Sequence, residues 1–223
     1  MRCIAHRGFA GVYPENTLTA VRQASQRADL IELDVRKCRS GDPVVIHDET
    51  VDRVTDETGA VADISLATLQ SMDVLGTGEG VPSLEAVLKT VPEDVGLNLE
   101  LKAEGLAEAV APLITEADNE ILLSSFSISV LSEAREVMPE VDRALLVDSS
   151  SEAGIERAAS LDCTALHPHW RLLDFALLER AHRSDLEVNV WTVSDEDKTE
   201  EYEKMGVDGV IVDDPAACLG EGQ

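Results

Sequence analysis

The sequence predicts an α/β fold, a closed (β/α)8 TIM barrel with a small insertion after its second strand. Three observations carry that expectation. Short runs of branched aliphatic residues alternate with longer segments of helical period all along the chain, the signature of parallel β/α units. Eight such runs can be counted, the number that closes a barrel. The first βα turn, Arg7-Gly8-Phe9-Ala10-Gly11, lacks the G-x-G-x-x-G spacing of a dinucleotide site, which disfavours an open doubly wound sheet. At 223 residues and 44% hydrophobic, the chain can bury one full core, although barrels of this class usually run to about 250 residues.

The strands are expected at residues 2–8, 30–37, 96–103, 121–126, 143–148, 165–170, 187–193 and 209–213. Pro14 reads as the first turn of a helix that continues through Leu18, Val21 and Ala24. Ser194-Asp195-Glu196-Asp197 reads as a helix cap, and Gly206 as a helix stop. After the second strand comes an extended piece at 42–48 and then a polar stretch to Gly80, too long for an ordinary βα loop. A short helix over 65–72, with Leu66 and Leu69 packing down, is expected inside it. Residues 216–223 are too few and too Gly-rich for a full eighth helix. With no linker, repeat or low-complexity tract, the expectation is a single domain over 1–223, with 49–80 as a small capping insertion.

The charge is lopsided: 44 acidic against 18 basic residues gives a formal net charge of −26. That excludes a nucleic-acid partner, because phosphate binding needs a clustered basic face. Only Lys37, Lys89, Lys102, Lys198 and Lys204 are lysines. A surface rich in carboxylates and poor in ammonium groups reads as salt adaptation of a haloarchaeal-like kind. The N-terminal residues lack the apolar core of a signal peptide, and no stretch is long enough to span a bilayer, so a cytoplasmic protein without stable membrane anchoring is expected. Cys3, Cys38, Cys163 and Cys218 lack paired spacing and are expected as reduced, mostly buried thiols.

Alternation along strands groups the chemistry. Glu32 and Asp34 share one face of the second strand, and Asn98, Glu100 and Lys102 share one face of the third. A barrel interior is normally filled with Val, Ile and Leu, so three carboxylates there need compensation. A hard divalent cation, Mg²⁺ or Ca²⁺, suits this oxygen-only set; ion pairing to Arg7, Arg36 and Lys102 is the structural alternative. His6 and His47 reach the same end of the barrel, and histidine is the side chain best suited to pass protons near neutral pH. Arg7 and Lys102 are candidates for holding phosphate oxygens.

His6-Arg7-Gly8, Pro14-Glu15-Asn16-Thr17, Glu32-x-Asp34, Pro43-Val44-Val45-x-His47-Asp48, Thr58-Gly59 and Asn98-x-Glu100-x-Lys102 together resemble the ordered signature of the glycerophosphodiester phosphodiesterases. The likeness continues more loosely through Ser125-Phe126, Trp191 and residues 206–211, so it covers essentially the whole chain. The resemblance implies a (β/α)8 barrel and metal-dependent hydrolysis of glycerophosphodiesters to sn-glycerol 3-phosphate and an alcohol. By motif position it implies His6 and His47 as the acid/base pair, Glu32, Asp34 and Glu100 as metal ligands, Arg7 and Lys102 as phosphate contacts, and 49–80 as the capping segment.

Other residues read two ways. Phe126 and Trp191, at strand ends, are candidates for lining the substrate mouth, with core packing as the alternative. His167 and His169 share a strand face and raise a second metal site against plain mouth packing. Glu15 and Asn16 either reach the metal or substrate or, as part of a helix start, fix the first βα loop. A phospholipase C or D on the same barrel ranks second as a function, because the chain has neither a hydrophobic loop cluster nor a polybasic patch for a membrane. A non-catalytic phosphate- or metal-binding barrel ranks third, because binding alone does not need two proton-transfer groups.

Overall fold

In the computed structural model, which describes residues 1–218, β1 (Arg2–His6) opens the chain and α1 (Leu18–Ala24) follows it. Pro14 stands outside that helix. Thr17 is the cap, its side chain accepting from the Ala20 amide, because a hydroxyl can meet an orphan first-turn N–H and a proline ring cannot. β2 (Leu30–Lys37) comes next, and the extended piece after it narrows to β3 (Pro43–Val45), which turns back antiparallel on β2 with Val45 opposite Val35. The short helix expected over 65–72 forms as α2 (Leu66–Ser71), with Ser65 as its cap and Leu69 fully buried. The intervening segment folds over its own apolar cluster, which includes Ile46, Val51, Val61, Leu69 and Val81.

From α3 (Leu84–Leu88) onward the alternation is regular: β4 (Gly96–Leu101), α4 (Ala107–Ile114), β5 (Ile121–Ser125), α5 (Ile128–Val137), β6 (Asp142–Val147), α6 (Ser151–Ser160), β7 (Ala165–Pro168), α7 (Phe175–Arg183), β8 (Glu187–Val193), α8 (Glu196–Met205) and β9 (Gly209–Val212). The sixth expected strand ends early, at Pro168. The Pro ring removes a ladder donor, and a 3₁₀ turn at Trp170–Leu172 follows. Asp195 caps α8 by accepting from the Lys198 amide, and Gly206 stops it at φ 93°. The final turn, Pro215–Ala217, replaces an eighth outer helix; the rest of that tail, 219–223, lies outside the described residues.

Strand order β1-β9-β8-β7-β6-β5-β4-β2, closed by β1 on β2, makes an eight-stranded parallel barrel with β3 as an added edge. Outward-facing residues such as Ile31, Leu33, Leu97, Leu99 and Val190 pack under the helices in the main core. Inside the barrel the apolar clusters are small: Ile4, Leu30 and Ile211 on one side, Leu122, Ala144 and Ala165 on the other. The interior is therefore left to polar residues to an unusual degree, and those residues build the site.

The cysteines depart from expectation. Cys3 and Cys218 form a disulfide across 215 residues. Barrel closure sets β1 beside β9, which brings Cys3 next to the turn after β9, with the two Cα atoms 5.6 Å apart. Cys38 and Cys163 are buried free thiols, as expected.

Candidate active site

Register delivers the charged residues to one place. His6 pairs with Glu32, Asp34 with Glu100, and β2 lies between β1 and β4. With side chains alternating, Glu32, Asp34 and Glu100 converge inside the barrel mouth, and one oxygen of each lies within 4.8 Å of the others. All three are buried.

The loop after β1 holds that cluster from the side. Arg7, Gly8 and Phe9 have φ values of 50°, 79° and 66° in succession. Gly8 is required, since a Cβ there would stand 2.7 Å from the Ala20 Cβ. The turn aims the Arg7 amide at Glu32 Oε2 (2.9 Å) and its guanidinium at Asp34 (3.2 Å) and Glu15 (3.1 Å). Asn16, itself left-handed and buried, clamps Asp34 from both ends: its Nδ2 donates to Oδ2 (2.8 Å), and its Oδ1 accepts from the Asp34 amide (3.3 Å). Asn16 thus ties the first loop to Asp34, one of the three clustered carboxylates.

Each histidine is held by a carboxylate. His6 Nδ1 donates to Asp213 (2.6 Å) and His47 Nδ1 donates to Asp48 (2.6 Å), so each ring keeps Nε2 for the cavity both residues line. His6 Nε2 is 3.9 Å from Glu32. Burial works against protonated His6, but the Asp213 hydrogen bond and the Glu32 charge outweigh it and raise the pKa above that of free histidine. Arg53, from the segment after β3, binds Glu15 through two nitrogens (2.7 and 2.8 Å) and Asp48 through Nε (2.5 Å). Chiefly through that contact, Asp48 is driven down to about 2.

Lys102 bridges Asp34 (2.7 Å) and Glu100 (2.5 Å), so the ion-pair arrangement is realised for Lys102 and Arg7. Arg36 takes no part; its Nε donates to the His47 carbonyl (2.8 Å). Two cations do not satisfy the set. Glu32 Oε1 has no protein partner, and burial together with the neighbouring Asp34 charge pushes the Glu32 carboxyl up to about 8. An oxygen-only cluster with more charge than its neighbours compensate, and with a lone pair to spare, fits a hard divalent cation. Among the described residues this is the one such group of three or more potential ligands; His167 and His169 join no metal cluster.

The cavity above the cluster has a volume of about 260 Å³. Arg7 and Lys102 line it on one side, Phe126 and Trp191 on the other, with those two rings edge-to-face at 5.5 Å. His169 stacks its edge against Trp191 at 4.9 Å, while His167 lies deep in the barrel, buried and held neutral. The structure thus brings together all nine site residues expected from the sequence. Sequence reasoning missed the supporting groups Asp213, Asp48 and Arg53. Only Asp48 carried a usable signal, its position next to His47.

A parallel barrel with paired histidines over a carboxylate cluster at the C-terminal ends of its strands has the layout of an enzyme site for acid–base chemistry beside a candidate cation position. Residues 6–217 match the profile of the glycerophosphoryl diester phosphodiesterase family, and the chain belongs to that family. It is 34% identical to a glycerophosphodiester phosphodiesterase of Caldanaerobacter subterraneus subsp. tengcongensis, over 97% of this chain and 95% of the relative. Among solved structures, a phosphodiesterase of Oleispira antarctica, in complex with its product sn-glycerol 3-phosphate, superposes with a TM-score of 0.89 at 32% identity, covering 97% of this chain and 94% of that one. A glycerophosphodiester phosphodiesterase of Thermotoga maritima gives 0.85 at 28%, with 97% and 96% covered.

Proposed function

We propose that this protein hydrolyses glycerophosphodiesters to sn-glycerol 3-phosphate and an alcohol, with His6 and His47 as the proton-transfer pair. The observation that carries the reading is the pair of His–Asp contacts, each leaving a free Nε2 at one cavity beside three converging carboxylates. One histidine takes the proton from the oxygen that attacks phosphorus; the other gives a proton to the alcohol oxygen as its bond to phosphorus breaks. Arg7 and Lys102 hold the phosphoryl oxygens by charge-assisted hydrogen bonds. Phe126 and Trp191 wall the cavity on its apolar side and shape the mouth through which substrate enters.

Glu32, Asp34 and Glu100 would hold the divalent cation, Mg²⁺ or Ca²⁺. When bound, that ion supplies positive charge against which a phosphoryl group can develop negative charge. The segment 49–80 caps this site within a single domain, with Arg53 as its contact to Glu15 and Asp48.

Among the described residues, no helix is long and apolar enough to cross a membrane. We propose a cytoplasmic location for that activity; the Cys3–Cys218 bridge, of a kind that persists in oxidising surroundings, is the feature that counts against it. The net charge of −26 supports salt adaptation. In molar salt the Debye length shrinks to about 3 Å, so the surface carboxylates no longer repel an anionic substrate. Turnover rising with KCl towards molar concentrations is expected; a maximum at low ionic strength with loss above it contradicts the salt reading. For the activity itself, release of sn-glycerol 3-phosphate from glycerophosphocholine is the test, and absence of release from any glycerophosphodiester overturns it.

A further inference from the structure

The same cavity has a floor that the proton-transfer and metal chemistry leaves unused. Asn98 lies one alternation step deeper than Glu100 on β4, and Ser124 is the register partner of Glu100 on β5. His167 and Asn189 continue the layer across β7 and β8. These four side chains are 1%, 0%, 0% and 0% exposed, in a position where barrels ordinarily carry branched aliphatic residues. Five of their polar atoms have no protein partner: Asn98 Nδ2 and Oδ1, Ser124 Oγ, His167 Nδ1 and Asn189 Oδ1. Each such atom is costly to bury unmatched, so the layer calls for a polar occupant.

The layer is built in. An apolar cluster of Leu122, Ala144 and Ala165 belongs to the same barrel interior, and Gly209 leaves the space that the Asn189 carboxamide fills. Asn189 and His167 meet at 3.0 Å, and burial keeps the imidazole uncharged. The layer is therefore neutral. Of the four residues, Asn98 and Ser124 line the cavity itself.

The chemistry of these free atoms selects the ligand group. A phosphate asks for donors and an ammonium for acceptors, whereas Asn98 and Ser124 offer both without charge. An alcohol hydroxyl, donor and acceptor at once, matches. The floor is the enclosed end of the cavity, while the half-exposed Phe126 stands at its mouth. The closed end suits the part of the substrate common to all glycerophosphodiesters, and the open mouth suits the alcohol that varies. We propose that Asn98 and Ser124 form a specificity subsite that reads the hydroxyls of the glycerol moiety; the assignment rests on the hydrolysis proposed above.

The test compares two substrates with the metal-loaded enzyme: glycerophosphocholine, and propylphosphocholine, which keeps the three-carbon chain and the phosphodiester but lacks both hydroxyls. Sites that hydrogen-bond a hydroxyl reject analogues lacking it strongly, so the wild type is expected to prefer glycerophosphocholine by about 100-fold or more in kcat/KM. Ser124→Ala, which removes one atom, and Asn98→Leu, close in size, are each expected to cut that preference about tenfold or more by slowing the glycerol substrate. Equal slowing of both substrates in these variants, or a preference that does not move, overturns the subsite. Wild-type turnover of both substrates at similar rates also overturns it while leaving the phosphodiesterase standing. Turnover of neither overturns the hydrolysis reading, and the subsite with it.

Discussion

The two walls of the barrel mouth are made of different chemistry. Strands β1, β2 and β4, with the loops that follow them, deliver His6, Arg7, Glu32, Asp34, His47, Glu100 and Lys102, nearly all tied into a charged network. The strands from β5 to β9 face them with Phe126, Leu146, Trp191 and Ile211, and Trp191 is fixed by its Nε1 donating to the His167 carbonyl (2.7 Å). One wall is built of charged and titratable groups; the other is built of apolar ones. Charge is concentrated where neighbouring strands can support it. Asp34 alone is met by Asn16, Arg7 and Lys102, and a carboxylate this deep survives only with such company.

Breaking the charged wall carries the largest expected effects. His6→Ala and His47→Ala should each lower kcat by about 10²–10⁴-fold, the usual worth of a positioned acid or base, while circular dichroism and metal content match the wild type. A fall of less than tenfold in either variant would remove that histidine from the chemistry. Asn16→Ala, which takes away both hydrogen bonds to Asp34, should weaken metal affinity by about 10–100-fold, read by isothermal titration with Mg²⁺ or Ca²⁺. Unchanged affinity would reduce Asn16 to a loop residue.

The apolar wall should answer differently. Trp191→Ala loses packing worth about 0.5–1.5 kcal/mol beyond its area, so KM is expected to rise by a factor of about 2–10 with a smaller change in kcat. A collapse of kcat with KM unmoved would mean that the wall takes part in the chemistry. The smallest effect is a shift along the pH axis. Burial opposes the charged form of His6, but the Asp213 contact and Glu32 hold its pKa above the ordinary value. Asp213→Asn removes the anionic partner and so lowers that pKa, and the limb of the pH–rate profile set by His6 moves to lower pH whether His6 works as acid or base. A limb that stays in place, or moves up, would deny Asp213 its tuning role.

The charged wall was largely legible in the sequence, because its logic is local. A side-chain period of two groups Glu32 with Asp34 and Asn98 with Glu100 and Lys102, and adjacent parallel strands bring the groups together. What supports them was not legible. Asp213 lies 207 positions from His6, and Arg53 lies 38 from Glu15, so each contact exists only once the barrel has closed and the segment after β3 has folded back. The Cys3–Cys218 bridge was missed for the same reason of separation. Asn16 was ambiguous for a different reason: a small polar side chain beside a helix start suits a loop as well as a clamp, and its left-handed backbone is what turns it towards Asp34. The neutral floor of Asn98 and Ser124 was hidden because Asn98 looked like a member of the charged face and Ser124 like an ordinary strand residue.

Above all else, the charged wall stands or falls as a cation-dependent phosphodiesterase site. Its most direct test is the release of sn-glycerol 3-phosphate from glycerophosphocholine by protein stripped with a chelator and then titrated with Mg²⁺ or Ca²⁺. No release is expected from the stripped protein and full recovery on adding the ion, with Glu100→Gln needing more of it to reach half-maximal rate. Release that continues at full rate in excess chelator would mean that the carboxylate cluster holds no essential ion.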